Sequence, residues 1–266
     1  MPVKIIVCIK RTPASTSVAV GSDGTVQTAG VQHAINAFDE FAIEEALRVK
    51  EKLSGSTVTA LTAGSEDAMD ILRGALAVGC DEAVLLADPA FDGSDTYGTS
   101  HILAKAIQKI AGEGPALVFF GKQTNDGESG HITASVGAWL KWPSAISVRK
   151  ITEVSESALS IERLMEDGVD TVKLQLPAVV GVTKEINEPR LPSLKGKMAA
   201  KRKEIPKWGA GDIGADAAVI GKANSPTGVV GQTPVPPRPA GAAIPGETPE
   251  EIAKNLVGKL KEAKFI

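Results

Sequence analysis

Aromatic side chains are scarce, 4% of the chain, with 6 Phe, 3 Trp and 1 Tyr. That is too few for the stacked platforms that hold single-stranded nucleic acid. Cysteine is nearly absent: Cys8 and Cys80 make no metal or redox spacing, so a reduced, cytoplasmic-type setting is expected. His33, His101 and His131 fall in no HExxH or CxxC setting, which argues against a zinc hydrolase. Net charge is only −3, from 29 Lys+Arg and 32 Asp+Glu, and does not suit a protein that coats nucleic acid. No apolar run is long enough to span a bilayer. Met1-Pro2-Val3-Lys4 leads directly into a strand-like segment, so neither a membrane anchor nor a secretory signal is expected. What the 266 residues do contain is ample material for a core, with 27 Gly and 16 Pro marking many tight loops.

The apolar, β-branched run Lys4–Ile9 lacks alternation, the pattern of a strand covered on both faces. Ser22-Asp23-Gly24 reads as a hairpin turn. Asn36 then precedes Asp39 and Glu40, and Phe38, Ala42, Ala46 and Val49 recur at helical spacing, which predicts a helix Ala37–Lys52 with Asn36 as its N-cap. Strands are expected at 57–63, 82–87 and 116–120, and helices at 66–78 (closed by Gly79), 100–111 and 129–140. Such alternation implies an open, mostly parallel α/β sheet of Rossmann-like type with flanking helices.

Beyond Trp142-Pro143 the rhythm changes. Short strands at 146–154, 158–165 and 171–176 predict an antiparallel addition, and 177–183 one more buried strand. Residues 184–207 carry eight basic and three acidic side chains, a net of +5, which leaves about −8 on the rest. Residues 224–246 are Pro- and Gly-rich and read as an extended arm. Thr248-Pro249-Glu250-Glu251 opens a closing helix that needs a surface to lie on. The expected division is therefore a domain 1–221 and an arm with helix, 222–266.

In open α/β sheets the ligand crevice lies beyond the carboxyl ends of the strands. The run from Gly121 through Gly127 and Gly130 to His131 joins a buried strand to a helix start, where glycines and free N–H groups suit a phosphate. The same run also fits an ordinary glycine-rich connection. Gly121-Lys122 lacks the upstream glycine of a Walker A loop. Gly209-Ala210-Gly211-Asp212-Ile213-Gly214 matches GxGxxG, but Pro206-Lys207-Trp208 before it does not read as a strand, so the match is set aside. Cys8 reads as a small core residue. His131 has no nucleophile or carboxylate at a telling spacing.

The stretch Val182–Lys203, with Asn187-Glu188-Pro189-Arg190 and its basic tail, closely resembles the recognition-loop region of the electron transfer flavoprotein β subunit. Val7-Cys8-Ile9-Lys10-Arg11, Asn36–Ala46, Gly121-Lys122-Gln123 and Trp142-Pro143 follow the family's order, so the resemblance covers essentially the whole chain. It implies a heterodimer with an α subunit that holds most of an FAD, while β carries AMP or, in electron-bifurcating members, a second FAD. By the same resemblance the nucleotide would be lined by Cys8, Asn36, Ala37, Phe38, Asp39, Ala63, Gly121, Lys122, Gln123, Thr124, Asn125, Asp126, Gly127, Glu128, Ser129, Gly130, His131 and Ile132. Leu194 would be the apolar anchor that docks into an acyl-CoA dehydrogenase, with Asn187, Glu188, Pro189, Arg190, Lys201, Arg202 and Lys203 around it. Electrons would pass on to an electron transfer flavoprotein-quinone oxidoreductase.

Two departures bear on the cofactor. Thr12-Pro13-Ala14-Ser15 stands where bifurcating members carry Val-Pro-Asp-Thr, and Asp126–Ile132 differs from their Asp-Gly-Asp-Thr-Ala-Gln-Val. Asp39-Glu40-Phe41-Ala42 and Asn224-Ser225-Pro226-Thr227 are nearer the bifurcating branch. AMP is the expectation, with a second FAD and NADH oxidation as the alternative. A stand-alone adenine-nucleotide module, a sensor or a hydrolase, would have no use for 187–203, and no catalytic constellation for hydrolysis is visible.

Overall fold

The computed structural model describes every residue except 16–18, 22–24, 28–29, 235, 237 and 239, so the turn expected at Ser22-Asp23-Gly24 lies outside the described residues. The chain forms two compact units, Met1–Gly231 and Gln232–Ile266.

In the first unit β1 (Lys4–Cys8) is followed by the short strands β2 (Arg11–Pro13), β3 (Ala19–Val20), β4 (Val26–Gln27) and β5 (His33–Ile35). Then come α1 (Ala37–Lys52), β6 (Thr57–Ala63), α2 (Met69–Val78), β7 (Glu82–Leu86), α3 (Thr96–Ala111), β8 (Ala116–Gly121) and α4 (Ile132–Leu140). The strands β9 (Ser144–Val154), β10 (Ala158–Leu164), β11 (Val169–Gln175) and β12 (Ala178–Val182) precede α5 (Leu194–Arg202), β13 (Lys207–Trp208) and α6 (Ala210–Ile213).

Nine strands form one sheet in the order β11-β10-β9-β12-β8-β1-β6-β7-β13. From β12 to β13 every pairing is parallel, whereas β9-β10 and β10-β11 are antiparallel. The central strands are largely apolar because both faces are covered: all six residues of β8 are buried, and four of the five in β1. One core cluster joins α1 and α2 to the sheet through Ile43, Leu47, Leu72 and Phe119. The other joins α3 and α4 through Ile102, Ile107, Val118 and Val136. The chain leaves β1 toward β6 and β7, then returns to β8 on the opposite flank, which makes β1/β8 the topological switch point.

Local chemistry explains most boundaries. Helix α1 carries Asp39 and Glu40 in its first turn and Lys50 and Lys52 in its last, each sign matched to the helix dipole. Helix α2 stops at Gly79, whose φ of 132° is open to glycine at little cost. Helix α3 begins four residues before the expected start because Asp95 caps it, accepting from the N–H groups of Tyr97 and Gly98. Helix α4 begins three residues later than expected. Glu128 and Gly130, at φ of 47° and 66°, are left-handed and cannot belong to it.

Two further expectations are corrected. The residues ahead of the GxGxxG match do form a strand, β13, which pairs parallel with β7, and the match runs into α6. Two edge residues after a proline are too short to show periodicity. And 187–203 is not simply a loop: Ser193 accepts from Gly196 N at 3.0 Å and opens the nine-residue α5. Pro192 and Gly196 had hidden that helix.

The second unit contains α7 (Pro249–Glu262), capped by Thr248, which accepts from Glu251 N at 3.3 Å. None of its residues is buried. Among the described residues no helix is long and apolar enough to cross a membrane.

Candidate functional site

A crevice of about 810 Å³ opens at the carboxyl ends of β1, β6, β7 and β8. Its floor is Cys8-Ile9-Lys10 from β1, Ala63-Gly64-Ser65 from β6 and Phe120-Gly121-Lys122 from β8. Thus the switch point and the cavity coincide, as the topology requires.

Asp39 is the buried centre of this arrangement. Its Oδ2 accepts from the Lys10 N–H at 2.8 Å and its Oδ1 from the Gly121 N–H at 3.2 Å, so one carboxyl group ties the ends of β1 and β8 to the start of α1. Burial pushes its pKa up to about 7, against the hydrogen bonds that favour the charged form. Gly121 is required by proximity: a Cβ there would stand 2.5 Å from Asp39 Oδ1 and 2.6 Å from the Phe38 carbonyl carbon.

Asn36 occupies the cap position of α1, yet its side chain does not cap the helix. Instead Nδ2 donates to the Gln123 carbonyl at 2.9 Å and Oδ1 accepts from the Asn125 N–H at 3.0 Å. It is therefore the post on which the glycine loop is hung. Lys10 Nζ donates to both oxygens of Asp126, at 2.9 and 2.7 Å, and fixes the far side of that loop.

The electrostatics of the crevice are lopsided. At the α3 end, Asp95 already fills the helix N-terminus and also accepts from Thr227 N and Oγ1. Asp88 accepts from Ala90 N and Ala210 N, which hold its carboxyl below the usual range and occupy the start of α6. In the GxGxxG match the Gly209 and Ala210 N–H groups are thus already taken, by Asp212 and Asp88. At the α4 end no side chain caps the helix: the His131 ring takes the Ser129 carbonyl instead, through Nδ1. Lys10, Lys122, Gly127, Ser129, Gly130, Ile132 and Thr133 line that end. The two ends therefore differ: carboxylates occupy the start of α3, whereas the start of α4 has no side-chain cap.

Of the nucleotide residues expected from the sequence, Cys8, Asp39, Ala63, Gly121, Lys122, Gln123, Thr124, Gly127, Ser129, Gly130 and Ile132 line the crevice. Asn36, Asn125 and Asp126 shape its loop. Ala37, Glu128 and His131 are exposed, and Phe38 backs Gly121. Burial, with Asp39 adding to it, pushes the Cys8 thiol well up, so it serves as packing and not as a nucleophile. The sequence places Lys10 at a strand end beside the crevice but not among the nucleotide residues, and its reading missed the wall from Asp88 through Phe91 to Thr99, Ile102 and Leu103. Asp92-Gly93-Ser94-Asp95, a turn followed by a cap, was the available signal.

The expected partner-binding residues gather elsewhere, over α1 and α2. Gly196 sits so close to α2 that a Cβ would run into the Ala77 carbonyl. Arg73 Nη1 donates to the Ala200 carbonyl at 2.6 Å and also reaches those of Lys201 and Lys203. The backbone of α5 is thereby fixed while Lys201, Arg202 and Lys203 point to solvent. Leu194 is 76% exposed and, where one exposed leucine was expected, Leu191 stands beside it at 90%.

A doubly wound, mostly parallel sheet with a crevice at its switch point defines an open α/β protein. Residues 23–213 match the electron transfer flavoprotein domain. The chain is 36% identical over 264 residues to the caffeyl-CoA reductase-Etf complex subunit CarD of Acetobacterium woodii, covering 99% of this chain and 100% of that one. It is 37% identical to the electron transfer flavoprotein subunit beta of Mycobacterium tuberculosis (96% and 98% covered). With that of Megasphaera elsdenii the identity is 34% (99% and 100% covered). The chain belongs to the electron transfer flavoprotein β-subunit family.

Proposed function

We propose that this chain is the β half of a heterodimeric electron transfer flavoprotein acting in the cytoplasm, where its free, buried Cys8 and Cys80 stay reduced. The α subunit holds the FAD, and that flavin, when bound, supplies the electron-storing chemistry. The heterodimer accepts electrons from acyl-CoA dehydrogenase-type flavoenzymes and delivers them to a quinone-side oxidoreductase. The observation that carries this reading is an exposed leucine, Leu194, at the head of a basic helix whose backbone is fastened to the body. A small apolar anchor with charge around it suits a specific, short-lived contact.

In the crevice, AMP fits the donors present. The uncapped start of α4 and Gly127–Gly130 would receive its phosphate, and Asn36 and Asp39 would hold the loop and strand ends that line it. The size of the crevice favours a second reading. About 810 Å³ lies toward the upper end of the roughly 300–1,000 Å³ spanned by small-molecule pockets, which leaves room for a second FAD and for NADH oxidation.

The unit Gln232–Ile266 serves as the arm that lies on α. Ile252, Leu256 and Val257 of α7 are 41–43% exposed, an apolar stripe without a core of its own. Coexpression with an α subunit tests the whole reading. The two chains should copurify with bound flavin that an acyl-CoA dehydrogenase reduces in the presence of its substrate. A β chain that remains alone and binds adenine nucleotide unaided would make it a stand-alone module instead.

A further inference from the structure

Helix α1 carries the docking segment as well as the crevice. Glu44 and Glu45, in its middle, are only 4% and 5% exposed. The Glu44 carboxylate accepts from Arg190 through Nε at 2.7 Å, Nη2 at 3.1 Å and the backbone N–H at 3.2 Å, and from Arg48 Nε at 2.7 Å. Arg190 Nη1 donates to Glu51 Oε1 at 2.8 Å. Three residues earlier, Asn187 Nδ2 donates to the Phe41 carbonyl and to Glu45 Oε2, both at 3.0 Å. The chain is thus fastened to α1 at two points and then released into Leu191 and Leu194, both of which face solvent.

We propose that Arg190 and Asn187 are positioning residues and not partner contacts: with Glu44, Glu45 and Glu51 they form a latch on α1 that displays Leu191 and Leu194 to the partner flavoenzyme. This rests on the docking role proposed above. The Arg190 fork is already committed, since Nε and both terminal nitrogens hold Glu44 and Glu51. A partner carboxylate could recruit it only by stripping a cation from a buried Glu44, which is unfavourable. What the latch contributes is order. A segment that must be arranged at each encounter binds more weakly in proportion to the fraction of time it is correctly arranged.

The heterodimer should be prepared with Arg190→Gln and with Leu194→Ala, and its reduction titrated with an acyl-CoA dehydrogenase at several salt concentrations. Amide hydrogen exchange across 187–203 is followed on the same samples without the dehydrogenase. Arg190→Gln should raise the half-saturating dehydrogenase concentration about tenfold, with less effect on the plateau rate, as expected if the ordered form falls to about a tenth. It should speed exchange at 188–194 and leave the salt dependence unchanged. Glu51→Gln removes only the exposed leg, so it should give a smaller change of the same kind, and it decides the matter if Arg190→Gln does not fold.

Unaltered exchange together with a weaker salt dependence would mean that Arg190 touches the partner, and the latch would be overturned. So would a normal titration for Arg190→Gln where Leu194→Ala is impaired. If Leu194→Ala itself titrates like wild type, the docking role of the segment fails first and takes the latch with it.

Discussion

Gly121 lies against the Asp39 carboxyl group, its N–H donating to Oδ1 at 3.2 Å across the seam between β8 and α1. That contact leaves no room for a methyl group, since a Cβ would fall 2.5 Å from Oδ1 and 2.7 Å from Phe38 Cβ. Gly121→Ala should therefore cost about 1–3 kcal/mol of stability, the usual penalty of overpacking. It should also push the strand end away from α1 and weaken nucleotide retention. Thermal unfolding and nucleotide content after gel filtration check both, and a variant with wild-type values for each would show the seam to be soft.

Asp39 gives the fold a pH dependence of unusual sign for an acid. Its folded pKa is raised by burial to about 7, above the roughly 3.9 of an unfolded aspartate. The native state thus holds the proton more tightly. The stability this group contributes is complete below about pH 4 and is lost as pH rises through about 7. Asp39→Asn cannot ionise, so it should flatten that part of the curve while weakening one of the two N–H contacts. Urea midpoints between about pH 4.5 and pH 8 read the slope directly. Equal slopes for variant and wild type would remove Asp39 as the source.

Much of this architecture was legible in the chain. The apolar runs of β1, β6, β7 and β8 and the limits of α1 needed only burial on two faces and helical spacing. The switch point followed from their order. The roles of Asn36 and Asp39 were hidden because each looks like an ordinary helix-start residue, a cap and a dipole-matched acid. Only the fold shows that Asn36 turns to the glycine loop and Asp39 inward. The α3 wall was hidden for another reason. Its shape depends on residues more than a hundred positions away: Gly221 N donates to Ser94 Oγ, Asp95 N to Ser225 Oγ, and Thr227 to Asp95. No local pattern reports such a strap.

That strap changes where the arm should be cut. Deletion after Gly221 would remove Ser225 and Thr227 and loosen the crevice as well as the arm. Deletion after Gly231, the limit of the compact unit, isolates the arm. The shorter chain 1–231 should keep its fold and lose most of its association with α, because α7 carries its apolar stripe away. Circular dichroism and copurification from coexpressing cells test the two halves separately. Undiminished copurification would refute a docking role for the arm.

Leu194→Ala should slow reduction by the dehydrogenase without changing bound nucleotide or the flavin spectrum, because the residue sits on α5 and not among the residues lining the crevice. Truncating a central anchor commonly costs roughly 2 kcal/mol or more. Neutralising Lys201, Arg202 and Lys203 should act differently. Their backbone is held by Arg73 and their side chains are exposed, so the loss appears in the encounter rate and its salt dependence. Stopped-flow rates at low and high salt distinguish the two, and rates unaltered by either change would leave α5 a solvated face.

The identity of the crevice ligand decides between ordinary transfer and bifurcation. A second isoalloxazine needs space and polar partners able to tune the ring. The crevice offers about 810 Å³, but the first loop has Ala14 where the bifurcating pattern carries a carboxylate, and the glycine loop departs from that pattern at several positions. At the α3 end the carboxylates of Asp88 and Asp95 are spent on backbone N–H groups and Thr227. An adenylate asks for less: one anion site, which the uncapped start of α4 would supply, and apolar strand ends beside it. We therefore expect AMP in this chain and one FAD per heterodimer. The purified complex should be saturated with FAD, stripped of excess, denatured, and its released nucleotides separated and quantified. Two FAD with no AMP would reverse the assignment, and NADH oxidation coupled to two acceptors would then be the activity to measure.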